Sequence, residues 1–229
     1  MERAVELFDL EVAPHRSALV ENSWQARSAP AAHFVSVATA HWEVVVTRRR
    51  GAASMTVRGP ETRATVVPIP PDAGFFGIEF SVGTFMPGLP PGRLVDRAVT
   101  LPAATGDSVW LADTEWEVPG PASVDTFVEG LAAAGLLVHD PLPAEALHGV
   151  VAGVSTRSLE RRVARATGLS RGAAARIRRA ELAVQLLSAG VPVTEVASLA
   201  GYADQPHLTR ALRRLVGQTP GHIARAAVG

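Results

Sequence analysis

One segment of this chain occurs twice, and the repeat restricts the fold more than any other feature. Leu159-Glu160-Arg161-Arg162-Val163-Ala164-Arg165-Ala166-Thr167-Gly168-Leu169-Ser170 returns 49 residues later as Leu208-Thr209-Arg210-Ala211-Leu212-Arg213-Arg214-Leu215-Val216-Gly217-Gln218-Thr219. Both copies read Leu-x-Arg-x-(Val/Leu)-x-Arg-x-x-Gly-x-(Ser/Thr). Apolar residues four apart lay down the buried stripe of a helix. The pairs Arg161/Arg165 and Arg210/Arg214 share another face of it. Gly168 and Gly217 fit the left-handed residue that ends a helix. Ser170 and Thr219 can then cap the next one, with Pro220 suited to its first position.

The residues ahead of each copy complete a larger unit. Val193, Val196, Ala197 and Ala200 predict a short amphipathic helix opening near Pro192, followed by a turn at Gly201. Asp204 caps a second helix beginning Gln205-Pro206-His207, and Tyr202, the only tyrosine, packs in the turn. In the first copy Gly153 is the turn and Ser155 the cap. Its leading helix is less well marked, because Pro141 and Pro143 flank the start and Gly149 interrupts Ala144 to Val151, so a shortened first unit is expected. Helix, glycine-containing turn and capped Arg-bearing helix make a helix-turn-helix, whose second helix lies in a major groove of DNA. The two units are expected at about 144–167 and 192–216, spaced by a helix from Ala173 to Leu187 that carries Arg176, Arg178 and Arg179.

Charge supports an anionic partner for this region. The net charge of zero hides +7 in residues 141–229 (12 Arg, 5 acidic) and −7 in residues 1–140 (10 Arg, 17 acidic). The chain has no lysine, so its basic side chains other than histidine are planar guanidinium forks suited to phosphates and the guanine edge. It also has no cysteine, which excludes thiolate catalysis, disulfides and cysteine-ligated zinc. No apolar run approaches the roughly 18 residues that span a bilayer. The opening Met1-Glu2-Arg3-Ala4-Val5-Glu6 lacks a secretory pattern, so a cytoplasmic protein with no membrane partner is expected.

Twelve of the 17 prolines fall in residues 1–140, which read as short strands and turns. Phe76, Ile78, Phe80 and Val82 alternate with Gly77, Glu79 and Ser81, the pattern of a half-buried strand. His33 to Thr47 supplies one or two more strands, Met55 to Arg58 another, and Val66 to Ile69 a further one that Pro68 places at a sheet edge. Arg48-Arg49-Arg50-Gly51 reads as a hairpin tip. From Ser123 the pattern turns helical through Val124, Phe127, Val128 and Leu131, and Asp140-Pro141-Leu142-Pro143 then breaks the chain. The expected architecture is α+β with two domains: a β-rich sandwich or barrel over 1–139 and an all-α domain over 140–229. His33 and His41 stand eight apart without the His-x-His and carboxylate set of a metal site, so no metal and no cofactor are expected. Without a nucleophile elbow or phosphate loop there are no catalytic candidates, and the chain does not read as an enzyme. Trp24, Trp42, Phe76, Phe80 and Trp110 are either core or the lining of an effector pocket, with His41 and Trp42 as the ligand-binding candidates.

Taken together, Gly153-Val154-Ser155, Leu159-x-Arg161-Arg162, Gly168-Leu169-Ser170, Glu195-Val196-Ala197, Gly201-Tyr202-x-Asp204-Gln205-x-His207-Leu208-x-Arg210 and Gly217-Gln218-Thr219-Pro220 resemble the DNA-binding domain of the AraC/XylS family of transcription regulators. The likeness covers roughly 140–226. More loosely, Ala40-His41-Trp42-Glu43-Val44-Val45, Gly59-Pro60-Glu61-Thr62 and Gly77-Ile78-Glu79-Phe80 resemble the β-rich sensory domain that precedes it in one branch of the family. The resemblance implies base-edge contacts for Arg161 and Arg210, with Arg157, Ser158, Glu160, Gln205, His207 and Thr209 alongside. Arg162, Arg165, Arg213 and Arg214 take phosphate contacts or intramolecular ion pairs. Double-stranded DNA is the implied partner, with a small-molecule effector, a second copy of the chain and RNA polymerase as further candidates for an activator of this type. Two alternatives stay open: a constitutive DNA binder whose first half only dimerises, and a β-barrel enzyme with a helical appendage.

Overall fold

The computed structural model describes residues 11–15, 17–28, 33–149 and 151–226; the opening Met1–Glu6 lies outside them. The first half is built from strands β1 (Glu11–Pro14), β2 (Val20–Arg27), β3 (His33–Ser36), β4 (Glu43–Arg49), β5 (Ala52–Arg58), β6 (Thr65–Pro68) and β7 (Ala73–Phe80). Shorter strands follow: β8 (Thr84–Phe85), β9 (Ala98–Thr100), β10 (Ala103–Thr105), β11 (Ser108–Leu111) and β12 (Thr114–Glu117). Six of them form one antiparallel sheet in the order β1-β2-β7-β4-β5-β9. Helix α1 (Val124–Ala133) and strand β13 (Val138–His139), which pairs with β8, close this half.

Strand alternation gives the sheet two different faces. Val44, Val46, Met55, Val57, Phe76 and Ile78 point into the core, where Val124, Phe127, Val128 and Leu131 of α1 and Val109 of β11 meet them. The expected helix at 124–131 is present with the expected buried stripe, but the Ser123 hydroxyl bonds to Gly120 instead of capping α1. Val45, Thr47, Thr56 and Phe75 point to the other face. There β3 and β6 form a separate two-stranded antiparallel ribbon, so Pro68 does sit at an edge. The β4–β5 hairpin turns at Arg50 (φ 51°) and Gly51 (φ 78°), both left-handed as a two-residue hairpin requires.

The second half is helical: α2 (Leu142–His148), α3 (Thr156–Thr167), α4 (Arg171–Ser188), α5 (Val193–Leu199), α6 (Gln205–Leu215) and α7 (Pro220–Ala226). An α+β chain with a β-rich first half and an all-helical second half is what the sequence predicted. As expected, α2 is short: Pro141 precedes it, Pro143 lies in its first turn, where no backbone N–H is needed, and it stops before Gly149. Helix α4 packs against α2, α3, α5, α6 and α7. Its buried face (Ala174, Ile177, Ala180, Ala183, Leu187) forms one core with Leu159, Val163, Val196, Leu208 and Leu212, and Ala38 and Ala40 of the β-rich half join that core.

The two halves meet where the repeated helices end. Gly168 closes α3 at φ 69° and lies against the 3-10 turn Pro91–Arg93: a Cβ there would stand 2.6 Å from Gly92 Cα. Gly153 has a similar φ of 75° and open space around it. Gly153→Ala therefore incurs only the left-handed strain, about 1 kcal/mol. Gly168→Ala adds an overpacking cost of about 1–3 kcal/mol. Urea denaturation of the two variants should show the larger loss at Gly168, and equal losses would mean that the close approach is not present in solution.

Candidate nucleic-acid interface

The two Arg-bearing helices are set up by the same local devices. In the first unit Gly153 turns the chain after α2, and the Ser155 hydroxyl accepts from Ser158 N–H at 3.2 Å to cap α3. In the second, Gly201 (φ 72°) turns the chain after α5, and Asp204 Oδ1 accepts from His207 N–H at 2.6 Å to cap α6. Each cap satisfies an N–H that has no partner inside its helix. Ser170 likewise caps α4 through Ala173 N–H. Leu159 and Val163, and Leu208 and Leu212, are buried. The register of each helix is thereby fixed, and the repeated arginines are turned outward.

Most sequence-named residues lie on those outer faces. Arg157, Glu160, Arg161, Arg162 and Arg165 on α3 are exposed, with Ser158 half-buried. Gln205, Arg210, Arg213 and Arg214 on α6 are exposed, with His207 and Thr209 half-buried. Some are already engaged. Arg162 bonds Asp140 at 2.8 Å, and the Arg165 guanidinium lies 5.0 Å from the centre of the Phe85 ring. The His207 ring meets Tyr202 edge-on at 5.2 Å, and the Thr209 hydroxyl donates to Gln205 O. The side chains of Arg161 and Arg210 make no hydrogen bond or ion pair with another described residue.

Arg179 of α4 plays a part that the sequence did not reveal. Its guanidinium lies 5.5 Å from the centre of the Tyr202 ring and donates to Gly201 O at 3.2 Å, pinning the turn of the second unit to the spacer helix. Burial, partly offset by Arg179, raises the pKa of the Tyr202 hydroxyl. An arginine one helix away gives no local signal, because the contact depends on how α4 packs.

A second feature lies in the β-rich half. Between the outer face of the large sheet and the β3–β6 ribbon is a cavity of about 460 Å³, with apolar walls from Trp24, Phe34, Val45, Val67, Ile69 and Phe75. Arg58 and Glu61 line its polar end, where Arg58 pairs with Glu43 (3.2 Å) and with Glu61, and Trp24 Nε1–H donates to Glu43 at 3.0 Å. Of the aromatics named from sequence, only Trp24 lines it. Trp42 is buried in the core, stacked on Phe80 at 4.0 Å, and donates to Thr84 O. His41 also lies elsewhere, bonding Phe80 O at 2.8 Å. Phe75, an unremarked neighbour of Phe76 in sequence, takes the wall position because β7 alternates.

Residues 150–226 match a family model described as a helix-turn-helix domain. A 100-residue stretch is 34% identical to RipA of Corynebacterium glutamicum, an HTH-type transcriptional regulator, covering 43% of this chain. The match spans 30% of that relative's length. Two solved structures of ToxT from Vibrio cholerae superpose with a TM-score of 0.44, at 7% and 8% identity, over 97% and 98% of this chain and 98% and 100% of theirs. The family match and the arrangement of α2–α3 and α5–α6 define the class of the second half: it contains a helix-turn-helix domain. More particularly, residues 150–226 lie in a helical half that holds two such units, α2–α3 and α5–α6, joined by α4.

His41 also ties the β-rich half to α4 electrostatically. Burial alone would lower its pKa, but Glu79, Glu181 of α4, the Phe80 carbonyl and Glu21 outweigh that and raise it above the ordinary 6.5. Burial raises Glu181 above 4.5, with Glu79 and Glu21 acting in the same direction and His41 and Arg178 opposing. Both groups hold their protons more tightly when folded, so stability falls as pH rises. The Glu181 contribution declines above its unfolded value of 4.5, and the His41 contribution above 6.5, each until the folded pKa is passed. Urea midpoints should therefore fall from pH 6.5 upward, and His41→Gln should flatten that decline. An unchanged slope in the variant would remove His41 from this role.

Proposed function

We propose that this chain is a sequence-specific DNA-binding transcription regulator, placing α3 and α6 in successive major grooves on one face of a duplex. The observation that carries this reading is the pair of equivalent helices, each capped, buried on one side and presenting on the other an arginine, Arg161 or Arg210, that has no partner among the described residues. Helix α4 has 18 residues, hence a length of about 27 Å, comparable with the roughly 34 Å between successive grooves.

Roles follow from exposure and chemistry. Arg161 and Arg210 reach guanine edges, Gln205 suits adenine, and Glu160 accepts from cytosine or holds a neighbouring arginine. Arg157, Ser158, His207 and Thr209 flank them. Arg213 and Arg214 set register through phosphates, while Arg162 and Arg165 must first leave Asp140 and Phe85. The division between a sensing domain and the DNA-binding domain falls at 139/140, and the first half responds to a small molecule held in the cavity beside Trp24 and Phe75.

Selection of bound sites from random duplexes, followed by mobility shift, tests the assignment. Arg210→Ala should relax preference at one base pair by about 1–3 kcal/mol. Arg214→Ala should weaken binding to all sequences alike and lower the salt slope by about one. If Arg210→Ala left affinity and preference intact, α6 would not be a reading helix.

A further inference from the structure

The repeat runs on into the glycines that follow α3 and α6, and both glycines rest on the β-rich half. Gly168 and Gly217 stand 49 residues apart, at the same position of the two copies. A Cβ on Gly168 would stand 2.6 Å from Gly92 Cα. One on Gly217 would stand 3.3 Å from Ala64 Cβ, and Ala64 N–H donates to Arg214 O at 2.9 Å. Each of these touching residues has an arginine beside it in the chain: Arg93 follows Gly92, and Arg63 precedes Ala64. Standard bond lengths then put Arg93 Cα within about 8 Å of Gly168 Cα, and Arg63 Cα within about 8 Å of Arg214 Cα.

Both arginines are exposed, and neither side chain makes a hydrogen bond or ion pair with another described residue. Asp96, a carboxylate that packs against this segment, is held instead by the N–H and the hydroxyl of Thr62, each at 2.7 Å. The helix ends that the two arginines adjoin are basic already, with Arg165 in the last turn of α3 and Arg213 and Arg214 in that of α6. Like charges gathered in this way repel one another in the free protein, and an anion passing both places offsets that repulsion. A duplex is such an anion, with about one charge per 1.7 Å of its axis. A helix seated in a major groove has its C-terminal end beside the phosphate strand that bounds the groove. Residues 1–140 carry a net −7 (10 Arg, 17 acidic), so any attraction of this half for a duplex has to come from where its arginines sit.

We propose that the β-rich half touches DNA itself: Arg63 beside the end of α6, and Arg93 beside the end of α3, each bond a backbone phosphate when the two helices occupy their grooves. This rests on the reading of α3 and α6 as DNA-binding helices. In this role Arg63 and Arg93 read no bases; they fix how the duplex lies across the boundary between the halves. Because the contacts span that boundary, a duplex binds tightest to the arrangement in which Gly168 and Gly217 stay seated on the β-rich half.

The test takes the full chain and a duplex that the unaltered protein has selected from random sequences, titrated by fluorescence anisotropy between about 50 and 200 mM salt. Arg63→Gln and Arg93→Gln should each lower the salt slope by about one, and the double variant by about two. The affinity lost by each single variant should accordingly be about threefold greater at the low salt than at the high. Arg63→Lys and Arg93→Lys keep the charge and should keep the slope. Arg50→Gln removes the same charge from the tip of the β4–β5 hairpin, at the other end of β5 from the Arg58–Glu61 pair, and should leave the slope unchanged. Ethylation interference should lose one phosphate signal with each glutamine variant, with circular dichroism as the check on folding. An unaltered slope in the double variant, or an Arg50→Gln slope that falls as far as the others, would overturn the proposal. Weaker binding at every salt concentration with the slope unchanged would mean a structural role and overturn it too. If the unaltered protein selected no duplex at all, the regulator reading would go and this proposal with it; selection with unaffected slopes removes this proposal alone.

Discussion

The last carbonyls of α6 are satisfied by another part of the chain, and much of the architecture depends on that fact. A helix end packed against protein must find donors for its terminal C=O groups or lose stability. Here two come from Ala38 and Ala64, on segments flanking the β3–β6 ribbon. At α3 the meeting is different: Gly168 lets the helix end sit directly on the turn at Pro91–Arg93. Both repeated helices are thus anchored at their C-terminal ends by the β-rich half, which leaves their N-terminal and outer faces exposed. The same contacts draw Ala38 and Ala40 into the helical core, so the halves share apolar burial as well as hydrogen bonds.

The helical half was legible because its signals are local. A cap is read within three residues, as with Ser155 and Ser158 or Asp204 and His207. A buried stripe is read within two turns, as with Leu208, Leu212 and Leu215. The strands were legible for the same reason, since period two in Met55 to Arg58 and in Phe76 to Phe80 says which side chains face together. What alternation cannot say is which of the two faces is core and which borders a cavity. His41 and Trp42 were chosen from composition, yet Trp42 stacks in the core and the cavity wall is Trp24 with Phe75. That distinction is set by the ribbon, whose partner face comes from distant sequence. Ala38, Ala64 and Arg179 were invisible on the same ground.

Composition also has a physical consequence here. An all-arginine basic set presents planar forks that bond carboxylates and carbonyls and stack on rings, and the structure uses both modes internally. Arg179 stacks on Tyr202 while donating to Gly201 O, Arg165 covers Phe85, and Arg162 holds Asp140. The net charge of +7 on residues 141–229 therefore overstates what a duplex would meet.

The two units consequently differ in what DNA would have to displace. On α3 side chains are engaged, Arg165 by Phe85 of the β-rich half and Arg162 by Asp140 at the boundary between the halves. A half-exposed ion pair contributes about 0–1 kcal/mol, and an exposed cation–ring contact about 0.5–1 kcal/mol. Both lie within reach of charge-assisted bonds to phosphate, so these arginines can change partner at small cost. On α6 the β-rich half engages the backbone instead, through Arg214 O and Leu215 O, and leaves the side chains of Arg210, Arg213 and Arg214 free of described partners. Phosphate cannot compete for a carbonyl oxygen, because both are acceptors. DNA binding and interdomain contact thus oppose each other at the first unit and are compatible at the second. On the proposed reading, the second unit can therefore dock on a duplex while the β-rich half still holds the end of α6.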